Sequence, residues 1–391
     1  MDNTTVLEQG SSGGTRRIEA LDVVRGVAIL GTLWTNIWLF THTHGMAGYL
    51  LDPVTEGTAD GHVLVQNALT ALSQGKFLAL LSMMFGMGLA IQHRAAVRRG
   101  RAWPGRYLWR AALLFLDGAV NYLLIAEFDV LMGYAVTAAL VSWMLLTSER
   151  FQRRLVTVFA AGHVLLVALV SGLVLIYQDQ LDGGGWSGPN PYADGRFLDL
   201  VRFRVDQVLT FRAEPVFILL GTIALFLLGA LLFRAGVLGV EGARIRRRLL
   251  VVGAVALPVD LALGTWGGVA GLLLERYVVA PFVSLGLLAG VVEICLRRGT
   301  GGWVARRLQE VGRTALSCYL LQNLLGGAVF YGWGLGLAAE LGSWRVPLTM
   351  LGYVVIVTAV AVFAHAWLRR FSTGPVEWVW KRAGDAGVAR A

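Results

Sequence analysis

Polar side chains punctuate the first apolar run of the sequence, LDVVRGVAILGTLWTNI, among them Asp22, Arg25, Thr32 and Asn36. Their spacing places them on one face of a helix. An ionisable or amide group inside an apolar segment is costly and turns toward the protein interior, so such positions are where a site is sought first. Asp22 and Arg25 can pair at one end. Asn36 lies about 21 Å further along, at about 1.5 Å per residue, and His42 and His44 follow just beyond the run. A carboxamide can orient a carbonyl, and an imidazole near it can act as general base. The same stripe also reads as an interhelical hydrogen-bond seam ending in two solvated histidines.

Three further groups carry possible chemistry. Asn121, Glu127 and Asp129 crowd a short turn, where repulsion between two carboxylates would favour a proton on one of them. Asp260 is a lone acid two residues after Pro258, and a proline inside a helix frees a backbone carbonyl. In GRTALSCYLLQNLLGG, Tyr319 and Asn323 sit one helical turn apart with Gln322 beside them. These groups can bind a substrate carbonyl or hydroxyl, or hold helices together. Lys76, His93 and His163 are explained by snorkelling or solvation at helix ends. Several motifs fail their context: the glycines Gly86 and Gly88 fall inside an apolar run without a strand before them, and no Walker, HExxH or GxSxG pattern occurs. Cys295 and Cys318 form neither a disulfide framework nor a metal spacing.

What positions these residues is a series of apolar runs. The chain of 391 residues is 56% hydrophobic and only 15% charged, against about 25% charged in a soluble domain. The runs fall near 20–40, 67–92, 107–126, 129–147, 155–177, 214–234, 249–267, 277–296, 314–334 and 347–368. Each approaches the roughly 20 residues that cross a bilayer core as helix, so the fold class is an all-α integral membrane bundle of about ten transmembrane helices. The 49 glycines suit close helix packing. A weak likeness between FGMGLAIQHRA, ending the second run, and LFLLGALLFRAG, ending the sixth, is compatible with duplication.

The net charge of +9 is placed rather than spread. Basic residues cluster at Arg16, Arg17 and Arg25, from Arg94 to Arg110, at Arg150 to Arg154, at Arg234 and Arg244 to Arg248, from Arg297 to Arg313, and from Arg369 to Arg390. Positive segments mark the cytoplasmic side. Both termini are therefore expected in the cytoplasm, and the charge points to a lipid bilayer rather than nucleic acid. Residues 1–17 read as a disordered cytoplasmic tail, 18–370 as one transmembrane domain and 371–391 as a cytoplasmic amphipathic tail, with Trp378 and Trp380 as interfacial anchors. Two outer loops are long. The first holds His42, His44, Asp52, Glu56, Asp60 and His62; the second carries a Gly-Gly-Gly-Trp turn at 183–186.

Taken in order, several motifs resemble the YeiB family of bacterial inner-membrane proteins, which carry the domain of unknown function 418. They are LDVVRG with its following Asn-Ile, GKFLALLSMMFGMG, GRTALSCYLLQN, FYGWGLGL and GPVEW, and they span residues 18 to 382. The family has a histidine where this chain has Asn121, so a proton role there would pass to Glu127 or Asp129. The family is distantly similar to transmembrane acyltransferases such as the lysosomal heparan glucosaminide acetyltransferase. That resemblance implies acyl transfer from a cytoplasmic acyl-CoA, as co-substrate, to a sugar, lipid or small-molecule acceptor on the far side. Asn36 would orient the acyl group, His42 or His44 would be the general base, and cytoplasmic arginines would hold the CoA phosphates. Substrate contacts would fall to Asp22, Arg25, Glu127, Asp129, Asp260, Tyr319, Gln322 and Asn323. A transporter would instead depend on Asp260 or Asp22, and a non-catalytic scaffold on neither set.

Overall fold

The structure is a computed structural model that describes residues 4–50, 52–54, 58–177, 186 and 188–386. Glu56 and residues 183–185 of the expected glycine turn lie outside the described residues, as do the side chains of residues 4–18, of Asp60 and of residues 384–386. Every regular element among the described residues is a helix. They are α1 (Thr4–Thr41), α2 (Gly45–Tyr49), α3 (Asp60–Ala71), α4 (Lys76–Arg98), α5 (Tyr107–Leu124), α6 (Leu131–Met144), α7 (Glu149–Ile176), α8 (Phe197–Asp206) and α9 (Val208–Phe217). After them come α10 (Leu219–Arg234), α11 (Ala243–Trp266), α12 (Gly268–Leu274), α13 (Ala280–Arg298), α14 (Trp303–Arg313), α15 (Ala315–Phe330), α16 (Leu337–Glu340), α17 (Arg345–Leu368) and α18 (Pro375–Ala386). Helix α1 extends back to Thr4, into the stretch read from the sequence as a tail.

Among the described residues, six helical stretches are long and apolar enough to cross a membrane: Glu19–Thr41, Gly61–Arg98, Glu149–Ile176, Val240–Trp266, Gly268–Arg298 and Gly342–Leu368. The α9–α10 pair, bent by 44°, makes up to seven. The protein is thus a polytopic helical membrane protein. Helices α6 and α15 are apolar but shorter, and α5 carries Arg110 and Asp117.

The membrane stretches divide into inner and outer. The apolar windows of Glu19–Thr41 and Gly61–Arg98 are 67% and 72% buried, whereas those of α7 and α11 are 17% and 11% buried. Helix α1 packs on α4, α13, α14, α15 and α17, while α7, α11 and α17 turn apolar faces outward. Glycines set the tightest crossings. A Cβ on Gly26 would collide with the Leu308 carbonyl, and one on Gly312 with the Asp22 carbonyl, so α1 and α14 touch backbone to backbone. Gly86 and Gly229 do the same for α4 and α10. Dispersion over such close contacts is what holds helices together where the hydrophobic effect gives no preference.

Three of the runs are broken. Residues 72–75 interrupt the second, with Gly75 at φ 72° where a side chain would strain. A bend at Ile218 breaks the sixth, and a π turn at Glu275–Val279 breaks the eighth. Residues at or near all three breaks line one cavity.

Candidate functional site

Two cavities enter the bundle from opposite ends and share one wall. The first, about 480 Å³, opens at the end where the basic connections lie. Arg25, Arg110, Arg313 and Lys381 line it together with an apolar interior that includes Ile29, Leu81, Met84, Phe85 and Leu114. Val130, Tyr134 and Tyr319 line it as well. The second, distal cavity, about 150 Å³, is bordered by Thr32, Thr35 and Asn36 of α1, by Gln74 and Gly75 at the break before α4, and by Glu214, Arg276 and Tyr277. Val130 and Tyr319 line this one too. The face of α1 thus runs past both: Arg25 and Ile29 in the first, Thr32 and Asn36 in the second.

Each cavity has a fixed polar cluster. In the distal one, Arg276 donates to Glu214 at 2.6 Å and to Gln74 at 3.0 Å, while the Tyr277 hydroxyl donates to Glu214 at 2.7 Å. Glu214 is the carboxylate of this cavity. In the basic-end cavity, Glu377 of α18 accepts the backbone N–H of Leu316 at 2.7 Å and of Ser317 at 3.2 Å, and the Ser317 hydroxyl at 2.5 Å. A carboxylate there satisfies orphan donors of the α15 N-terminus and opposes its dipole. The GPVEW segment is thereby not merely an interfacial anchor: it docks on the helix that carries Tyr319, and Trp380 lines the cavity.

The expected site residues divide between cavities, seams and ion pairs. Asp22 and Arg25 pair at 3.1 Å, one helical turn apart. Gln322 donates to the Thr32 hydroxyl at 3.2 Å, a bond that ties α15 to α1. Asn323 sits beside the Tyr319 phenol, with neither amide atom in a regular hydrogen bond. Asn36 lines the distal cavity; His42 and His44 line neither cavity. His42 is 5% exposed. Its Nδ1 accepts the His44 backbone N–H at 3.1 Å, which leaves Nε2 as the donor to the Asp52 carbonyl at 3.1 Å. Burial, aided by the neighbouring His44, pushes its pKa down to about 4. Its ring is therefore neutral with both nitrogens occupied. His44 keeps its Nδ1 at 3.2 Å from the Thr43 hydroxyl.

The Asn121–Glu127–Asp129 turn is a lock between helices. Asn121 donates to Asp129 at 2.6 Å, and Asp129 accepts the Met132 backbone N–H at 3.2 Å. Glu127 accepts from Arg204 at 3.0 Å and from the Tyr331 hydroxyl at 3.2 Å. Arg204 also donates to the Leu123 and Ile125 carbonyls, and Arg212 donates to the Glu127 and Asp129 carbonyls while stacking on Tyr122. Helices α8 and α9 are pinned to the turn this way.

Asp260 belongs to a buried triad. Lys76 Nζ lies 2.5 Å from Asp260 Oδ2 and 3.1 Å from Glu275 Oε1, with all three side chains at most 5% exposed. Lys76 also donates to the Ala71 carbonyl. This corrects the snorkelling expected for Lys76, because the break at 72–75 turns it inward. His163 is likewise buried rather than solvated, at 6% exposure.

Sequence reasoning passed over Glu214, Arg276, Tyr277 and Glu377 as site residues. The first three lie at the edges of apolar runs, where charge reads as loop. Their signal was indirect: Pro215 and the Glu-Arg-Tyr-Val-Val interruption mark helix breaks. Among the described residues no group of three or more His, Cys, Asp or Glu is placed to hold a metal.

The family model described as protein of unknown function (DUF418) matches residues 232–385. The chain is 30% identical over 395 residues to the uncharacterized protein YeiB of Escherichia coli strain K12, covering 93% of this chain and 94% of that protein. It is 26% identical over 393 residues to the uncharacterized protein YxaH of Bacillus subtilis strain 168, covering 94% of each. No solved structure matches the chain.

Proposed function

The chain belongs to the DUF418 family that includes YeiB, and on that premise and its two cavities we propose that it is an integral-membrane acyltransferase. The observation that carries this reading is the wall formed by Tyr319 and Val130, reached from one end by an apolar cavity with a cationic lining and from the other by a polar one. An acyl-CoA suits the first. Arg110, Arg313 and Lys381 would pair with its phosphates, and the pantetheine and acyl chain would lie along the apolar interior. The thioester carbonyl would then sit at Tyr319, with Asn36 on the distal side to orient it.

An acceptor hydroxyl or amine in the distal cavity attacks that carbonyl carbon. The bond to the acceptor forms, the carbon–sulfur bond breaks, and the acceptor proton passes to Glu214, which Arg276 and Tyr277 hold in place. Coenzyme A leaves as thiolate toward the basic end and takes a proton from solvent there. His42 has no free nitrogen for the base role, and His44 lies outside the cavity linings.

In this reading the short helices α5, α6 and α15 also span the membrane, giving ten spans with both termini cytoplasmic at the basic end. The acceptor side is then extracytoplasmic in the bacterial inner membrane. The test is release of free thiol from acyl-CoA by the purified protein, with and without membrane extract. Release that disappears in Tyr319→Phe and Glu214→Gln, both folded, supports the reading; no release with any donor or extract sinks it.

One observation favours a transporter instead. Lys76, Asp260 and Glu275 form a buried ionic triad at helix breaks, and ionisable groups at membrane depth mark ion pathways and proton relays. Flux of a solute that follows an ion gradient and fails in Asp260→Asn would support that alternative.

A further inference from the structure

We propose that the acyl acceptor is a membrane lipid, which reaches the distal cavity sideways through a cleft between α7, α10 and α13; this rests on the acyl-transfer reading. The cleft has a volume of about 230 Å³ and shares Gly75, Leu78, Arg276 and Tyr277 with the distal cavity, so the two are adjoining chambers with one common wall. Its outer edge includes Val164 and Phe282, which are 43% and 48% exposed. Both stand on helices apolar enough to cross a membrane. An opening framed by such residues faces hydrocarbon, which excludes a charged, water-soluble acceptor from that route.

The inner end of the cleft is polar, which a groove for annular lipid has no need to be. His163 is buried there beside the Tyr277 backbone, and Arg276 Nε lacks a partner. Gly221 admits the imidazole: a Cβ at that position would collide with the ring. Unpartnered buried groups are expensive unless something occupies the space beside them. A lipid fits both ends of this gradient. Its chain lies against Val164 and Phe282, its polar linkage meets His163, and its headgroup hydroxyl or amine arrives at Glu214, which Arg276 and Tyr277 hold at the common wall. A long, largely apolar acceptor also explains why the distal cavity itself needs only about 150 Å³.

The test uses the whole protein in nanodiscs containing phosphatidylethanolamine with a diazirine on one acyl chain, and maps adducts by mass spectrometry. Labelling of cleft residues such as Val164 and Val278 above that of Val255, on the exposed face of α11, is expected. It should fall to the Val255 level in Ala160→Phe, which fills the cleft; Leu225→Trp serves if the first variant does not fold. Cleft labelling no stronger than at Val255, or unchanged in both folded variants, overturns the proposal. Thiol release from acyl-CoA in the same nanodiscs separates the two claims. Release that persists when the filled variants exclude the probe keeps acyl transfer and rejects the lipid route. Labelling without release in the wild-type protein removes acyl transfer, and the acceptor role falls with it.

Discussion

Single residues already separate chemistry from architecture here. His42 and Asn36 stand close in sequence, but one is saturated by backbone bonds and the other lines a cavity. Because the folded His42 has a pKa of about 4 against 6.5 ordinarily, the unfolded chain binds more protons in the interval between them. Stability is therefore fully present above about pH 6.5 and is lost as pH falls through about 4. At about 1.4 kcal/mol for each tenfold difference in proton affinity, the effect is about 3 kcal/mol. Thermal melts in detergent should show wild-type protein losing stability over this interval more steeply than His42→Gln; parallel curves would contradict the assignment. For Tyr319, a hydroxyl placed at developing negative charge is worth about 100-fold in rate. Tyr319→Phe should lower the turnover of thiol release by about that factor with KM for acyl-CoA little changed. Arg313→Ala should act the other way, raising KM about tenfold through loss of a charge-assisted contact while turnover holds.

Among the elements, the breaks matter more than the helices. Lys76 follows the interruption at 72–75, Glu275 opens a π turn, and Asp260 follows a proline, so three broken or loosened segments meet on one ammonium. Removing one partner leaves the others as uncompensated buried charge, at a cost of about 3–5 kcal/mol. Lys76→Met should therefore melt well below wild type, and adding Asp260→Asn with Glu275→Gln should recover much of the loss. A triple variant as unstable as the single one would show that the lysine's packing, not its charge, is what counts. Docking of α18 is of the same kind. Glu377→Gln keeps the shape but loses the charge at the α15 N-terminus, and should loosen α18, read as faster backbone hydrogen exchange over Pro375–Ala386.

For the whole molecule, the decisive feature is that one helix, α1, serves both cavities in succession. That works only if its two ends lie on opposite sides of the membrane. Single cysteines in a Cys295→Ala, Cys318→Ala background test this: Cys at Gly100 and at Gly301 should react with a membrane-impermeant maleimide only from the cytoplasmic side. Cys at Gly188 should react only from the other side. Labelling of Gly100 and Gly188 from the same side would overturn the proposed topology and, with it, the division between donor and acceptor ends.

The sequence by itself determined that the chain is helical and embedded in a membrane, because apolar length and missing charge are local properties. It also carried the family motifs and the polar face of α1, since spacing on a helix is set by 3.6 residues per turn. The partners of those residues were not legible. Glu377 meets Ser317 from far along the chain, Lys76 meets Glu275, and Glu214 meets Arg276 only after three runs break. Two glycines, Gly26 and Gly312, lie in separate motifs until α1 and α14 cross and their backbones touch. Which polar groups face a cavity and which face each other depends on helix rotation and close approach. Both are set by packing between segments distant in sequence, so only the tertiary structure decided them.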